Sequence, residues 1–273
     1  MQGLYDQRNE HLVLASESNK DAHLSVGLVS VELQIDAKQY EGALATLREL
    51  ALKFPSNPRI SQLYLDIYPE LNEWEKYIRV LNNHYKQLDY NAEQIAQLEL
   101  NAYQHFFKQL ALEDVESLKL FWEKKLPRRL RKELNYQKAM LDAYIESDNG
   151  QYAQELLIEK LNKQVSLPLL TYLDKVVLSD YEPLIELLEK KMRRFEEKGL
   201  IYQALAKLKL KEGDTEGAIK DLELSLESES NVESCALLAR LLEEDERFDD
   251  ANRYYRLGLQ LATKTSTGVI KLP

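Results

Sequence analysis

The chain has 273 residues, 44% of them hydrophobic and 30% charged, a globular rather than a disordered composition. Only 9 glycines and 7 prolines are present, too few for the many tight turns of an all-β sandwich or barrel, and long runs rich in Leu, Glu, Lys, Ala and Gln predict helix nearly throughout. A formal charge of −10 argues against a general nucleic-acid binder, and the one cysteine, Cys235, excludes an internal disulfide framework and any cysteine-only zinc site.

The first residues, Met1 to Asp6, show no signal-peptide apolar region, and no uninterrupted apolar stretch reaches the length of a membrane span. Residues 4–20 predict a partial helix that covers the first hairpin. The clearest unit follows: Lys38-Gln39-Tyr40-Glu41-Gly42-Ala43-Leu44-Ala45-Thr46-Leu47, closed by Pro55 and Pro58. Leu44, Leu47, Ala51 and Phe54 lie along one helical stripe. Asn72-Glu73-Trp74-Glu75-Lys76-Tyr77 repeats the step from an aromatic to the third residue beyond it. Pro127 interrupts the middle of the chain, Asp148-Asn149-Gly150 reads as a turn, and Pro168 and Pro183 each open a helix, the latter after the cap candidate Ser179-Asp180. Gly213 to Ala218 and Glu246 to Ala251 give the same step again. Residues 263–273 lose the periodicity and are expected to fray. No Gly-, Ser- or Pro-rich linker occurs, so residues 1–262 are expected to form one continuous domain.

Taking the third residue after the aromatic position as anchor gives Ala43, Tyr77, Ser117, Ala153, Leu184, Ala218 and Ala251, at successive spacings of 34, 40, 36, 31, 34 and 33 residues. The steps at both ends resemble the second half of a tetratricopeptide (TPR) repeat, whose period is about 34 residues. A helical hairpin cannot bury its apolar face alone, so neighbours must stack. The expected fold is all-α: a right-handed α-α superhelix, or solenoid, of about seven degenerate TPR hairpins. With each anchor at position 20 of its unit, positions 5 and 9 of the first helices line the concave face. They are Gln62 and Asp66, Lys138 and Asp142, Gln203 and Lys207, then Ala236 and Arg240. Such a mixed polar row suits a protein or peptide segment.

Three stretches carry a more specific resemblance. They are Gln39 to Leu47 with the Pro55 to Pro58 turn, Asn72-Glu73-Trp74 followed by Leu81, and Phe121-Trp122 through Leu126-Pro127-Arg128-Arg129-Leu130-Arg131 into Ala143-Tyr144. Together they resemble the C-terminal TPR region of the HemY family, bacterial inner-membrane-associated proteins linked to late heme biosynthesis. The resemblance implies a non-catalytic scaffold for heme (porphyrin) biosynthesis enzymes, tethered at the cytoplasmic face by two transmembrane helices that precede the repeats. This stretch is then expected to be a soluble fragment. The flavin-dependent oxidase that shares the family's name is not implied, because no dinucleotide-binding glycine turn follows a strand.

Residues for chemistry are sparse. His11, His23, His84 and His105 have no second ligand at metal spacing, and no nucleophile elbow, phosphate loop or zincin motif is present. The reading is therefore no enzyme, no cofactor, no metal and no nucleic acid. Cys235 reads as a small core residue. Residues 124–132 hold six cations in nine positions, Lys124, Lys125, Arg128, Arg129, Arg131 and Lys132, a candidate contact for anionic lipid or an acidic partner. Lys190, Lys191, Arg193 and Arg194 form a second cluster, and Glu243 to Asp250 reads as a polar end cap. Two alternatives stand beside the scaffold: a heme or porphyrin carrier with His84 or His105 as axial ligand, and a generic TPR adaptor in envelope assembly.

Overall fold

Among the described residues, five backbone positions carry a positive φ: Lys38 (57°), Asn72 (54°), Asp148 (58°), Gly213 (86°) and Glu246 (59°). Each stands five residues before one of the anchors Ala43, Tyr77, Ala153, Ala218 and Ala251. At each, the next residue's N–H reaches back five residues: Gln39 to Gln34 O, Glu73 to Tyr68 O, Asn149 to Tyr144 O, Asp214 to Lys209 O and Arg247 to Leu242 O. The positive-φ residue itself bonds three back, as Lys38 does to Ile35 O and Gly213 to Leu210 O. This is the Schellman helix stop, which turns the chain over and saturates the last carbonyls of the first helix. The period read from side chains is thus repeated in the backbone.

The computed structural model describes residues 20–192 and 198–266, and among them there is no strand. The chain is all-α, a succession of helical hairpins. It divides into two compact units, Met1–Met140 and Leu141–Pro273. The first holds α1 (Lys20–Asp36), α2 (Tyr40–Lys53), α3 (Pro58–Glu70), α4 (Trp74–His84), α5 (Ala92–Glu113), α6 (Val115–Leu120), a π-helical turn (Phe121–Lys125) and α7 (Arg128–Lys132). The division falls inside α8 (Leu134–Glu146). The second unit continues with α9 (Gly150–Lys163), α10 (Leu167–Leu170), α11 (Glu182–Met192), α12 (Lys198–Glu212), α13 (Thr215–Ser228), α14 (Val232–Glu244) and α15 (Phe248–Ser266). Helices adjacent in sequence pack on one another: α1 on α2, α2 on α3, α3 on α4 and α4 on α5 in the first unit, then α11 through α15 in order in the second. Such nearest-neighbour packing is the contact pattern of a repeat fold.

The anchors do what small or flat residues at such positions must. Ala43, Ala153, Leu184 and Ala218 are fully buried, and Ala251 and Tyr77 nearly so. Ser117 departs from the pattern. It is exposed, and its hydroxyl and N–H are both spent on Asp114, which caps α6. The buried residue of that repeat is Leu118, one position on. Pro168 stands in the first turn of α10, Pro183 is the second residue of α11, and Asp180 accepts from Glu182 N at 2.9 Å. The last helix outruns the expected fraying point at Thr263 and continues to Ser266; Thr263 Oγ1 donates to Leu259 O at 3.0 Å within it. Residues 4–19 of the expected N-terminal helix and residues 267–273 of the tail lie outside the described residues.

Only one of the five stops uses glycine. An L-residue in the left-handed region costs about 1 kcal/mol, so Glu246→Gly is expected to stabilise the fold by about 0.5–1 kcal/mol. Gly213→Ala is expected to cost about 1 kcal/mol, through φ alone, since a Cβ there would meet nothing within 4 Å. Urea denaturation of the two variants checks both signs.

Candidate partner-binding surface

The first helices carry polar side chains at the positions expected to line one face, and three of these, Gln62, Asp142 and Lys207, with other side chains of the same helices, reach the neighbouring repeat. Arg59 on α3 pairs with Glu32 on α1 at 2.5 Å. Gln62 Nε2 donates to the Tyr90 hydroxyl at 2.8 Å and lies 3.4 Å from Asp66 Oδ1. Tyr136 donates to Glu99 at 3.3 Å, and Tyr172 to Asp142 at 3.1 Å. Lys207 on α12 bridges Asp174 at 2.7 Å and Glu233 at 2.6 Å. The partners stand 26 to 37 residues apart, about one repeat. The row is therefore a ladder of inter-repeat links within each unit. Gln62, Asp142 and Lys207, expected to wait for a partner, are already engaged.

Burial sets the electrostatics of the ladder. Desolvation pushes the Asp66 and Glu99 carboxyls above the usual range, outweighing the hydrogen bonds from Gln62 and Tyr136 that act the other way. Burial, and then the nearby charges of Glu99 and Asp142, push the Tyr136 and Tyr172 hydroxyls up, so both remain protonated donors. For Lys207, burial acts downward, but its two carboxylate partners reverse this and raise its pKa. Glu233 is held below its usual value chiefly by the bond from Lys207.

In the second unit the ladder opens into a groove of about 540 Å³. Leu210, Ala236 and Leu237 provide apolar lining, beside the Tyr255 ring. Lys207, Lys211 and Arg240 face Asp174 and Glu233 around it. Lys211 is fixed as a strut: its ammonium donates to the carbonyls of Leu173, Asp174 and Val176 at 2.8–2.9 Å. Arg240 is the cation most open to a guest, 61% exposed with Glu244 only loosely paired at 3.7 Å. Gln203, one turn before Lys207, is buried, and its Nε2 has no partner of hydrogen-bond geometry, although its amide adds to holding the Glu233 carboxylate down. The structure thus gathers Gln203, Lys207 and Arg240 near one groove. It adds Asp174, Lys211, Glu233 and Tyr255, which the repeat register did not reveal, since Asp174 lies in a turn outside the helical period. Lys138 is half-buried on α8.

The Lys207 staple yields a pH signature. A lowered carboxylate contributes stability above its unfolded pKa and loses it as pH falls; a raised lysine contributes below its unfolded pKa and loses it as pH rises. The stability difference between the parent and Lys207→Met is expected to be flat between pH 4.5 and 10.5 and to shrink on both sides. With Glu233 66% exposed, the plateau should be no more than about 1 kcal/mol per pair. Denaturant titrations across pH measure it.

The other singled-out residues are placed as follows. His84 is half-buried, with Nδ1 3.4 Å from Gln87 Oε1. His105 is exposed and stacked flat on Trp74, ring centres 4.3 Å apart. His23 accepts from Lys53 at 3.0 Å if its Nε2 is unprotonated; His11, Arg193 and Arg194 lie outside the described residues. Lys191 donates to Asn162 O. Cys235 is fully buried, and burial pushes its thiol up. Of the basic segment, Lys124, Lys125, Arg128, Arg129 and Lys132 are exposed and Arg131 is half-buried, while Trp122, Leu126 and Leu130 are buried beneath them. Among the described residues no group of three or more His, Cys, Asp or Glu is arranged to hold a metal, and no helix is long and apolar enough to cross a membrane.

No protein-family model matches the chain. It is 23% identical over 259 residues to Protein HemY of Escherichia coli strain K12, and equally to Protein HemY of Shigella flexneri, an alignment covering 94% of this chain. The chain spans 65% of the length of these curated relatives. A crystal structure of a tetratricopeptide repeat protein from Parabacteroides merdae aligns with 94% of this chain and 96% of its own, at 15% identity and a TM-score of 0.29.

Proposed function

We propose that the chain is a non-catalytic TPR-type scaffold that grips segments of partner proteins, among them enzymes of late heme biosynthesis, at the cytoplasmic face of the inner membrane. The observation that carries the reading is the open groove beside Gln203, Lys207 and Arg240, where an apolar lining meets a lightly paired arginine. Such a surface takes an extended or helical segment with one apolar and one acidic side chain. Its relationship to the HemY proteins supports the pathway and the membrane, with any tether supplied by the part of the relatives that this chain does not span. Affinity capture of late-pathway heme enzymes tests it. The parent should retain at least one, and Arg240→Glu with Leu237→Asp should lose it. No capture by the parent, or equal capture by the variant, overturns the proposal.

One observation favours a second reading, a heme or porphyrin carrier. In the first unit a cavity of about 700 Å³ is lined by Trp74, Phe106, Leu120, Phe121 and three lysines, Lys76, Lys124 and Lys125, and His105 stacks on that tryptophan. Glu73, Glu75 and Glu113 line it as well, which weighs against propionates. A Soret band on mixing with hemin that shifts in His105→Ala supports the carrier; no band rejects it.

A further inference from the structure

Residues 119–133 carry seven cations and two acids, a net +5 in a chain of net −10, which leaves −15 on the remainder. The segment is built to keep those charges outside. Leu126 N bonds back to Phe121 O at 2.9 Å, the wide π turn, and Trp122, Leu126 and Leu130, four residues apart, form one buried stripe. Everything between them faces water. Arg129 has a long 3.6 Å contact to Glu133; Lys124, Lys125, Arg128 and Lys132 make no ion pair among the described residues. The acids close in sequence are Glu113, Asp114, Glu116, Glu123 and Glu133, and Glu73 and Glu75 line the cavity that Lys124 and Lys125 border. Glu113 accepts from Gln109, Asp114 caps α6, Glu116 is itself engaged, and Glu73 and Glu75 pair with Lys76 and Arg79. Leu120, at the edge of the lysines, is 55% exposed.

We infer that this segment is a basic strap that seats the first unit on an anionic lipid surface. A structured anion pocket needs donors prealigned by hydrogen bonds or ion pairs to neighbouring side chains, and none holds these four cations among the described residues. A bilayer presents diffuse negative charge and asks only for several long, unpaired cations on one side of the backbone, with an apolar side chain able to dip into the headgroup layer. Leu120 fills that role. The −15 on the rest of the chain repels the same surface, so the strap also sets which way the unit faces. Binding by charge and one leucine is reversible and screened by salt.

The test is flotation of the full chain with vesicles of phosphatidylcholine alone and of phosphatidylcholine with phosphatidylglycerol. The parent should bind only the anionic vesicles and be released by salt. Lys124→Gln/Lys125→Gln/Arg128→Gln/Lys132→Gln should lose on the order of several hundredfold in partitioning, about fivefold per cation. Lys86→Gln/Lys190→Gln/Lys198→Gln/Lys220→Gln, which removes as many exposed charges elsewhere, should bind like the parent. All eight substituted lysines and arginines of the strap and control variants are exposed, so denaturation curves should be unchanged. The inference is overturned if the parent ignores anionic vesicles, if neutral vesicles serve equally, if the control variant loses as much, or if a polyglutamate peptide binds the strap while vesicles do not.

Discussion

Phe107→Ala is expected to cost the first unit about 3–5 kcal/mol, measured by urea denaturation. Phe107 is fully buried on α5. Its ring meets three others: Tyr103 at 5.6 Å, Phe121 at 6.2 Å and Trp122 at 6.0 Å between centres. Tyr103 in turn meets Tyr136 at 5.6 Å, so the cluster reaches α8. Edge-on aromatic pairs contribute beyond the area they bury. Removing the central ring leaves a cavity walled by stiff planar groups that cannot collapse into it, the condition under which large-to-small substitutions cost most. Because Phe121 and Trp122 belong to the π turn, the variant should also loosen the start of the basic strap, seen as faster amide exchange across residues 121–126. A cost below about 1 kcal/mol would mean that this cluster is not the unit's core.

The parts of the fold legible in the sequence are those fixed by a repeating steric demand. A small or flat residue where two helices touch recurs every repeat, and Ala43, Tyr77, Ala153, Ala218 and Ala251 are buried where the spacing puts them. The helix stops were half legible. Gly213 announces its left-handed turn, but Lys38 and Glu246 adopt the same conformation with side chains that disfavour it, because the hairpin forces the reversal. The third repeat misled because Asp114 caps α6 and shifts the buried position from Ser117 to Leu118. At the candidate site the register of Gln203, Lys207 and Arg240 was legible, but not their employment. Lys207 is claimed by Asp174, which lies between one-turn α10 and α11, where no hydrophobic period runs and sequence spacing carries no information. Arg240 escapes that fate because the carboxylate it pairs with, Glu244, lies on its own helix.

Gly150→Ala is expected to cost about 1–3 kcal/mol, with more if the backbone cannot yield. Gly150 opens α9, and a Cβ built there would lie 2.1 Å from the carbonyl oxygen of Val177 and 3.3 Å from Leu178 Cδ2. A side chain in the way can rotate aside, but a carbonyl moves only with its chain, and this chain is pinned. The Tyr181 hydroxyl donates to Val176 O at 3.2 Å and accepts from Leu178 N at 3.0 Å, while Lys211 holds Val176 O at 2.9 Å from the other side. To admit one methyl group, α9 must lift or these bonds must break, and Asp174 moves with the same turn, so the Lys207 contact should weaken with it. Gly42→Ala supplies the opposite case. Its Cβ would meet only the Gln34 side chain, at 3.7 Å, within α2, so a gain of about 0.5–1 kcal/mol is expected from helix propensity and a stiffer unfolded chain. Paired urea titrations separate the two effects, because both variants add the same methyl group. Equal stability of Gly150→Ala and the parent would show that α9 does not rest on the Val177 carbonyl.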